Sequence, residues 1–100
     1  MNHREYYVYI MCNKARGTLY IGVTNNIEVR VQQHQQGKGS VFTAKYQLYR
    51  LVYYESFQYI DQAIMREKQL KNWRRQWKIN LIEEYNPIWR DLSYEWFYGS

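Results

Sequence analysis

Residues 6–34 read YYVYIMCNKARGTLYIGVTNNIEVRVQQH, and the spacing of their apolar side chains decides the fold. Two runs with period-two alternation, Tyr6–Cys12 and Thr18–Thr24, predict a β-hairpin. Alternation sets Val8, Ile10, Leu19, Ile21 and Val23 on one face, with Tyr7, Tyr9 and Tyr20 on the other. The first face is core and the second is rich in phenol. A connection of about four residues, Asn13 to Arg16, with Gly17 easing the return, sets Tyr9 directly opposite Tyr20. Thr24-Asn25-Asn26 then offers capping oxygens, and Glu28 falls three residues after Asn25 in capping-box spacing, so a helix is expected to begin here. Arg30 and His34 lie one turn apart on it and share a side. Two hydroxyls, a guanidinium and an imidazole converging on one place have the chemistry to hold a phosphate.

The chain of 100 residues is the size of one small domain. Its core is expected over roughly residues 6–87, with an aromatic tail over 88–100. Twelve tyrosines and four tryptophans supply enough large side chains to build that core despite the short length. A net charge of +5 favours an anionic partner such as nucleic acid. One cysteine, Cys12, forms no internal disulfide and reads as strand packing. The polar start, Met1 to Glu5, lacks the apolar segment of an export signal, so a cytoplasmic location is expected. No apolar run approaches the ~18–20 residues that span a bilayer.

Beyond the first helix, Gln33 to Phe42 is polar and glycine-bearing, and reads as a loop with a short irregular helix. Two readings stand for it: a solvated connector, or a phosphate-contacting segment using Lys38, Ser40 and Lys45. Leu48 to Phe57 is dense in Leu, Val and Tyr and predicts a third strand covered on both faces. Ile60 to Trp73 is helical, with Ile60, Ala63, Ile64 and Leu70 tracing a stripe on which Glu67 also falls. A carboxylate facing a core needs compensation. It is ion-paired to Arg30, rotated just off the stripe, or a ligand for Mg2+ or Mn2+. Arg74 to Tyr85 predicts another helix with Trp77, Leu81 and Tyr85 spaced by four, stopping at Asn86-Pro87. Lys71, Arg74, Arg75 and Lys78, with Lys68, interleave with Trp73 and Trp77. That pattern suits either a phosphate-binding surface with aromatic stacking or a solvated face over buried tryptophans. Trp89, Tyr94, Trp96, Phe97 and Tyr98 are expected to pack back onto the domain.

Taken in order, these residues resemble the GIY-YIG nuclease family. Tyr20-Ile21-Gly22 matches the second motif as it stands, and Tyr7-Val8-Tyr9 occupies the place of Gly-Ile-Tyr with Tyr7 departing. Arg30, His34 and Glu67 match the helix residues and the later glutamate. The resemblance runs from about Tyr6 to Asp91 and is nearest to small stand-alone bacterial members similar to the catalytic domain at the front of the excision-repair nuclease UvrC. It implies an α/β fold, a small three-stranded antiparallel sheet flanked by helices, and metal-dependent hydrolysis of DNA. By resemblance, Tyr9 takes a proton from the attacking water, Tyr20 orients that water, and Arg30 holds the phosphate. His34 relays or positions protons, and Glu67 carries Mg2+ or Mn2+. Family members also use a late asparagine, for which Asn80 and Asn86 are the candidates.

With no targeting domain attached, cleavage is expected to be weakly specific, on branched or damaged DNA, or to depend on a protein partner. The competing readings are a non-catalytic nucleic-acid-binding domain on the same scaffold and a protein-interaction domain built on the aromatic tail.

Overall fold

The computed structural model describes residues 5–98; Met1 to Arg4, part of the polar start that argued against an export signal, lie outside them. The chain runs β1 (Tyr6–Cys12), β2 (Leu19–Thr24), α1 (Ile27–Gln35), α2 (Val41–Tyr46), β3 (Arg50–Phe57), α3 (Ile60–Asn72), α4 (Arg75–Tyr85) and α5 (Tyr94–Tyr98). The three strands form one antiparallel sheet in the order β2-β1-β3, as expected from the sequence. β1 is central because its alternation is apolar on both faces. Val8, Ile10 and Cys12 join a core with Ile21, Val52, Tyr53, Ala63, Leu70, Ile79, Ile82 and Trp89. Tyr9 and Met11 join a second core with Ile27, Val31, Leu48 and Leu51. The phenolic side of the hairpin is therefore itself packed, with Leu92, Trp96 and Phe97 of the tail closing over it.

The hairpin register differs from the sequence expectation. Tyr9 pairs with Gly22, and Tyr20 pairs with Met11, so the two phenols are diagonal neighbours with ring centroids 6.3 Å apart. The connection spans residues 13–18, six rather than four, and that added length moves the pairing by two positions. Arg16, not Gly17, takes the left-handed conformation (φ 57°). Gly17 is needed for space, since a Cβ there falls 2.1 Å from Asn13 Oδ1, the atom that accepts from Thr18 N at 2.9 Å.

β3 explains how Leu51, Val52 and Tyr53 are all buried. The pairing with β1 shifts between Ile10 and Met11, so that Tyr53 faces Ile10 while Leu51 faces Met11. This bulge sends Val52 and Tyr53 to the same core and Leu51 to the other.

α1 is capped by Asn26, whose Oδ1 accepts from Val29 N at 3.2 Å, in place of the box expected from Asn25 and Glu28. It ends at Gly37 (φ +75°), whose amide returns to the His34 carbonyl. α3 and α4 are separate helices, broken where Trp73 and Arg74 are extended.

The core face of α4 is Ile79 and Ile82, continued by Asn86 and Trp89; of the expected Trp77, Leu81 and Tyr85, Leu81 alone packs against that core, partly buried. Trp77 and Tyr85 are exposed. Trp77 rests edge-on to Trp73 at 6.1 Å, with the Arg74 guanidinium 5.6 Å above its ring. An indole can satisfy itself on the surface by cation–π contact, whereas two isoleucines three residues apart have no such alternative. Ile60, placed on the α3 stripe by spacing, is likewise half exposed. No helix among the described residues is long and apolar enough to cross a membrane.

Candidate active site

Tyr9 is fully buried at the centre of the sheet, and its ring lies across Gly22 on the neighbouring strand. A Cβ on Gly22 would meet the Tyr9 hydroxyl at 2.4 Å and its ring carbon at 2.5 Å. The glycine of one strand therefore makes room for the phenol of the other. Gly22→Ala is expected to cost about 1–3 kcal/mol of stability and to displace the Tyr9 hydroxyl, because burial and a hydrogen bond hold the ring in place. Thermal unfolding alongside a cleavage assay checks both effects.

His34 sits under that hydroxyl with no exposure. Its Nε2 lies 2.8 Å from Tyr9 Oη and its Nδ1 lies 2.9 Å from Thr43 Oγ1. The Thr43 hydroxyl donates to the Ser40 carbonyl at 3.2 Å. We therefore assign Nδ1–H as the donor to Thr43, which leaves Nε2 to accept from Tyr9. Gly39 lets this ring fit, since a Cβ there would fall 2.0 Å from Nδ1. Thr43 was not singled out by sequence reading, yet it orients the imidazole. The available signal was Ser40, whose Oγ caps α2 by accepting from Thr43 N at 3.0 Å.

Burial, reinforced by the Arg30 charge, lowers the His34 pKa from 6.5 to about 4. The folded protein thus resists a proton that the unfolded chain accepts. Stability is expected to be full above about pH 6.5 and to fall as pH drops from there toward 4. Urea denaturation across that range, with His34→Gln flattening the dependence, checks the sign.

Burial raises Tyr9 from 10 to about 12, and Arg30 offsets part of this through hydrogen bonding and charge. Tyr9 is a neutral phenol at rest. The expected help from Arg30 toward the ionised form is present, but desolvation outweighs it. Arg30, half-buried on α1, faces both Tyr9 and Tyr20, and those contacts raise its own pKa. Gln33 steadies it from the side, accepting at 3.2 Å. Tyr20 is half-buried, with its ring edge-on to His34 at 5.4 Å.

Glu67 projects from α3 near enough for its charge to act on Tyr9. Its side chain is 16% exposed and pairs with Lys71 at 3.3 Å, one turn along the helix, rather than with the expected Arg30. Among the described residues no group of three or more His, Cys, Asp or Glu side chains forms a self-contained metal site. A single, partly exposed carboxylate still fits Mg2+ or Mn2+, which take one or two carboxylates and fill their shells with water and substrate phosphate.

Neither late asparagine joins this group. Asn80 is exposed and accepts from Gln76 at 2.9 Å. Asn86 is buried and ties the end of α4 to β3, donating to the Val52 carbonyl at 3.1 Å and to the Arg90 carbonyl at 2.9 Å. Tyr7, at the departing motif position, donates to Glu5 at 2.6 Å and packs against Tyr54, so its side chain lies outside the site.

Recesses open beside Arg30, beside Tyr20 and at the hairpin turn. Thr24, Asn25, Asn26, Arg30 and Gln33 help line one of about 450 Å3. At the other end of β2, Tyr20, Phe42, Lys71 and Lys78 line one of about 320 Å3. The third, about 620 Å3, lies at the hairpin turn and includes Lys14, Arg16, Arg75 and Lys78. Lys71 and Lys78 thus border the site. The Arg75 guanidinium is spent on the carbonyls of Arg16 and Gly17, and Arg74 is spent on Trp77. Lys38 and Lys45 are exposed on the loop and on α2. Cys12 is buried, with its thiol pushed up to about 11 by desolvation, and reads as packing.

Residues 5–80 match the GIY-YIG catalytic domain. A UPF0213 protein of Staphylococcus haemolyticus is 40% identical over 80 residues, covering 80% of this chain and 96% of that protein. A UPF0213 protein of Bacillus pumilus is 35% identical over 82 residues, covering 82% of each. The solution NMR structure of a UPF0213 protein from Bacillus halodurans superposes with a TM-score of 0.56 at 27% identity, covering 90% of this chain and 95% of that one.

Proposed function

The chain belongs to the GIY-YIG catalytic domain family, a family of nucleases, and from that premise we propose that it is a metal-dependent endonuclease hydrolysing DNA phosphodiester bonds. The observation that carries this reading is the buried Tyr9–His34 hydrogen bond between the sheet and α1, beside Arg30, with Gly22 leaving space for the Tyr9 ring. A buried phenol and imidazole beside a half-buried guanidinium make a poor core and a good phosphate site.

Tyr9 accepts the proton of the attacking water as its own hydroxyl proton passes to His34 Nε2. The phenol pKa lies far above that of the imidazole, so the two transfers proceed with the attack and not before it. Thr43 holds the imidazole in the accepting tautomer. Arg30 binds the phosphate and meets the charge that develops on it, as a planar guanidinium does well. Tyr20 orients the water from the diagonal position. Glu67 would hold Mg2+ or Mn2+, which would supply charge neutralisation at the phosphate. Lys71, beside the site and in reach of Glu67, would meet the phosphate backbone, with Lys78, Arg74, Arg75, Lys38, Ser40 and Lys45 as further candidate contacts. Ser40, Arg74 and Arg75 would have to exchange a bond they already make.

This cation arrangement carries no base-reading geometry, which supports weak specificity. Branched or damaged DNA, and a protein partner that supplies targeting, complete the proposal. Incubating supercoiled plasmid with the protein and Mg2+ or Mn2+ is expected to give nicked product, and EDTA to prevent it. Arg30→Ala should lower the rate by about 10²–10³-fold. Cleavage that ignores both EDTA and Arg30→Ala contradicts the proposal.

A further inference from the structure

The recess beside Tyr20 has a chemistry that hydrolysis does not require. Leu19, Tyr20, Ile21 and Phe42 make its walls largely apolar, and Lys71 and Lys78 complete the lining, the Lys71 ammonium pairing with Glu67 and the Lys78 ammonium donating to the Lys71 carbonyl at 3.4 Å. Its volume of about 320 Å3 lies at the small end of ligand recesses. Phe42 stacks on Tyr20 with centroids 6.2 Å apart and planes at 30°. Beyond it, Tyr46 approaches to 4.8 Å, and Lys45 stands over the Tyr46 ring at 5.3 Å. Phe42 and Tyr46 are nevertheless each 42% exposed, although burying an aromatic ring is what ordinarily stabilises it.

We propose that this recess receives an unpaired nucleobase of the DNA strand being cut, stacked on Phe42, with its flanking phosphates held by Lys71 and Lys78. Flat apolar walls beside two cations match a base and its phosphates better than they match any other part of a nucleic acid. A base within a duplex has both faces covered by its neighbours, so only an unpaired one can enter. Tyr20 belongs both to the candidate active site and to the wall of this recess, so the seated base adjoins the bond to be cut. The preferred substrate is therefore DNA with unpaired nucleotides, which deepens the proposed function and rests on it.

The test uses the full chain in EDTA, where binding is read without cleavage. The probes are oligonucleotides carrying 2-aminopurine either in a bulge or opposite its complement. Tighter binding and fluorescence quenching are expected for the bulged probe. Phe42→Ala should weaken that binding by about tenfold and abolish the quenching, with paired-probe affinity within about twofold of wild type. Phe42→Trp should retain both signals, and thermal melts should report folded protein in each case. Equal quenching of paired and unpaired probes, or unchanged bulge affinity in folded Phe42→Ala, overturns the inference. Plasmid nicking with Mg2+ by the same preparations reads the nuclease function separately, so nicking without any bulge preference removes the base site alone.

Discussion

Tyr9→Phe is expected to lower metal-dependent DNA cleavage by about 10²–10⁴-fold, with DNA affinity nearly unchanged. The substitution removes one oxygen and keeps the ring that fills the space over Gly22. It deletes the group proposed to accept the proton of the attacking water, and it also breaks the relay to His34. The cost to folding is separate and calculable. His34 Nε2 loses its partner among the described residues, and an unsatisfied buried acceptor costs about 1–3 kcal/mol. Tyr9→Phe should therefore remain folded at 25 °C but melt earlier than wild type. Comparing its cleavage rate, DNA affinity and melting temperature distinguishes lost chemistry from lost structure. A rate within a few fold of wild type would remove Tyr9 from the reaction, and with it the meaning attached to its bond with His34.

The sheet was legible in the sequence because β1 and β2 alternate cleanly, and a period of two leaves few alternatives. The same alternation sorted Tyr9 and Tyr20 onto one side of the hairpin. Register was not legible, because it depends on turn geometry, and the Asn13 side chain holds a six-residue turn that composition does not announce. α4 shows a different limit. Helical spacing marks Trp77, Leu81 and Tyr85 as plausibly as Ile79 and Ile82, and only packing decides which side turns inward.

Within the candidate site, Arg30 and His34 followed from one-turn spacing, but the burial of His34 did not. It depends on Thr43 and Gly39, which approach from beyond the helix. Glu67 was conspicuous as a carboxylate on an apolar stripe. Its partner, Lys71, was equally available to an i,i+4 reading, and the expectation of Arg30 overlooked it. Asn86 is one of two late asparagines that the resemblance offers to the site, whereas its place at the end of α4 makes it a latch between helix and sheet.

The tail is joined to the fold more closely than its position suggests. Trp89 is fully packed in the core and donates from Nε1 to Glu83 at 2.8 Å. Arg16 reaches the same carboxylate at 2.8 Å, which holds Glu83 at about 2 and ties the hairpin turn to α4. Asp91 accepts from Leu51 N at 3.3 Å, fixing the start of β3. These bonds secure the sheet that carries the phenol and against which the helix bearing the imidazole packs.

Glu67→Gln provides the most direct measurement, because it keeps the shape of the side chain and removes the charge a cation needs. Cleavage of supercoiled plasmid should be followed over a titration of Mg2+ and of Mn2+, with DNA binding measured in parallel. The account predicts a rate at least about 10³-fold below wild type at every metal concentration, since the cation supplies several kcal/mol of transition-state stabilisation, while the variant stays folded and still binds DNA. Undiminished metal-dependent nicking by Glu67→Gln would contradict it.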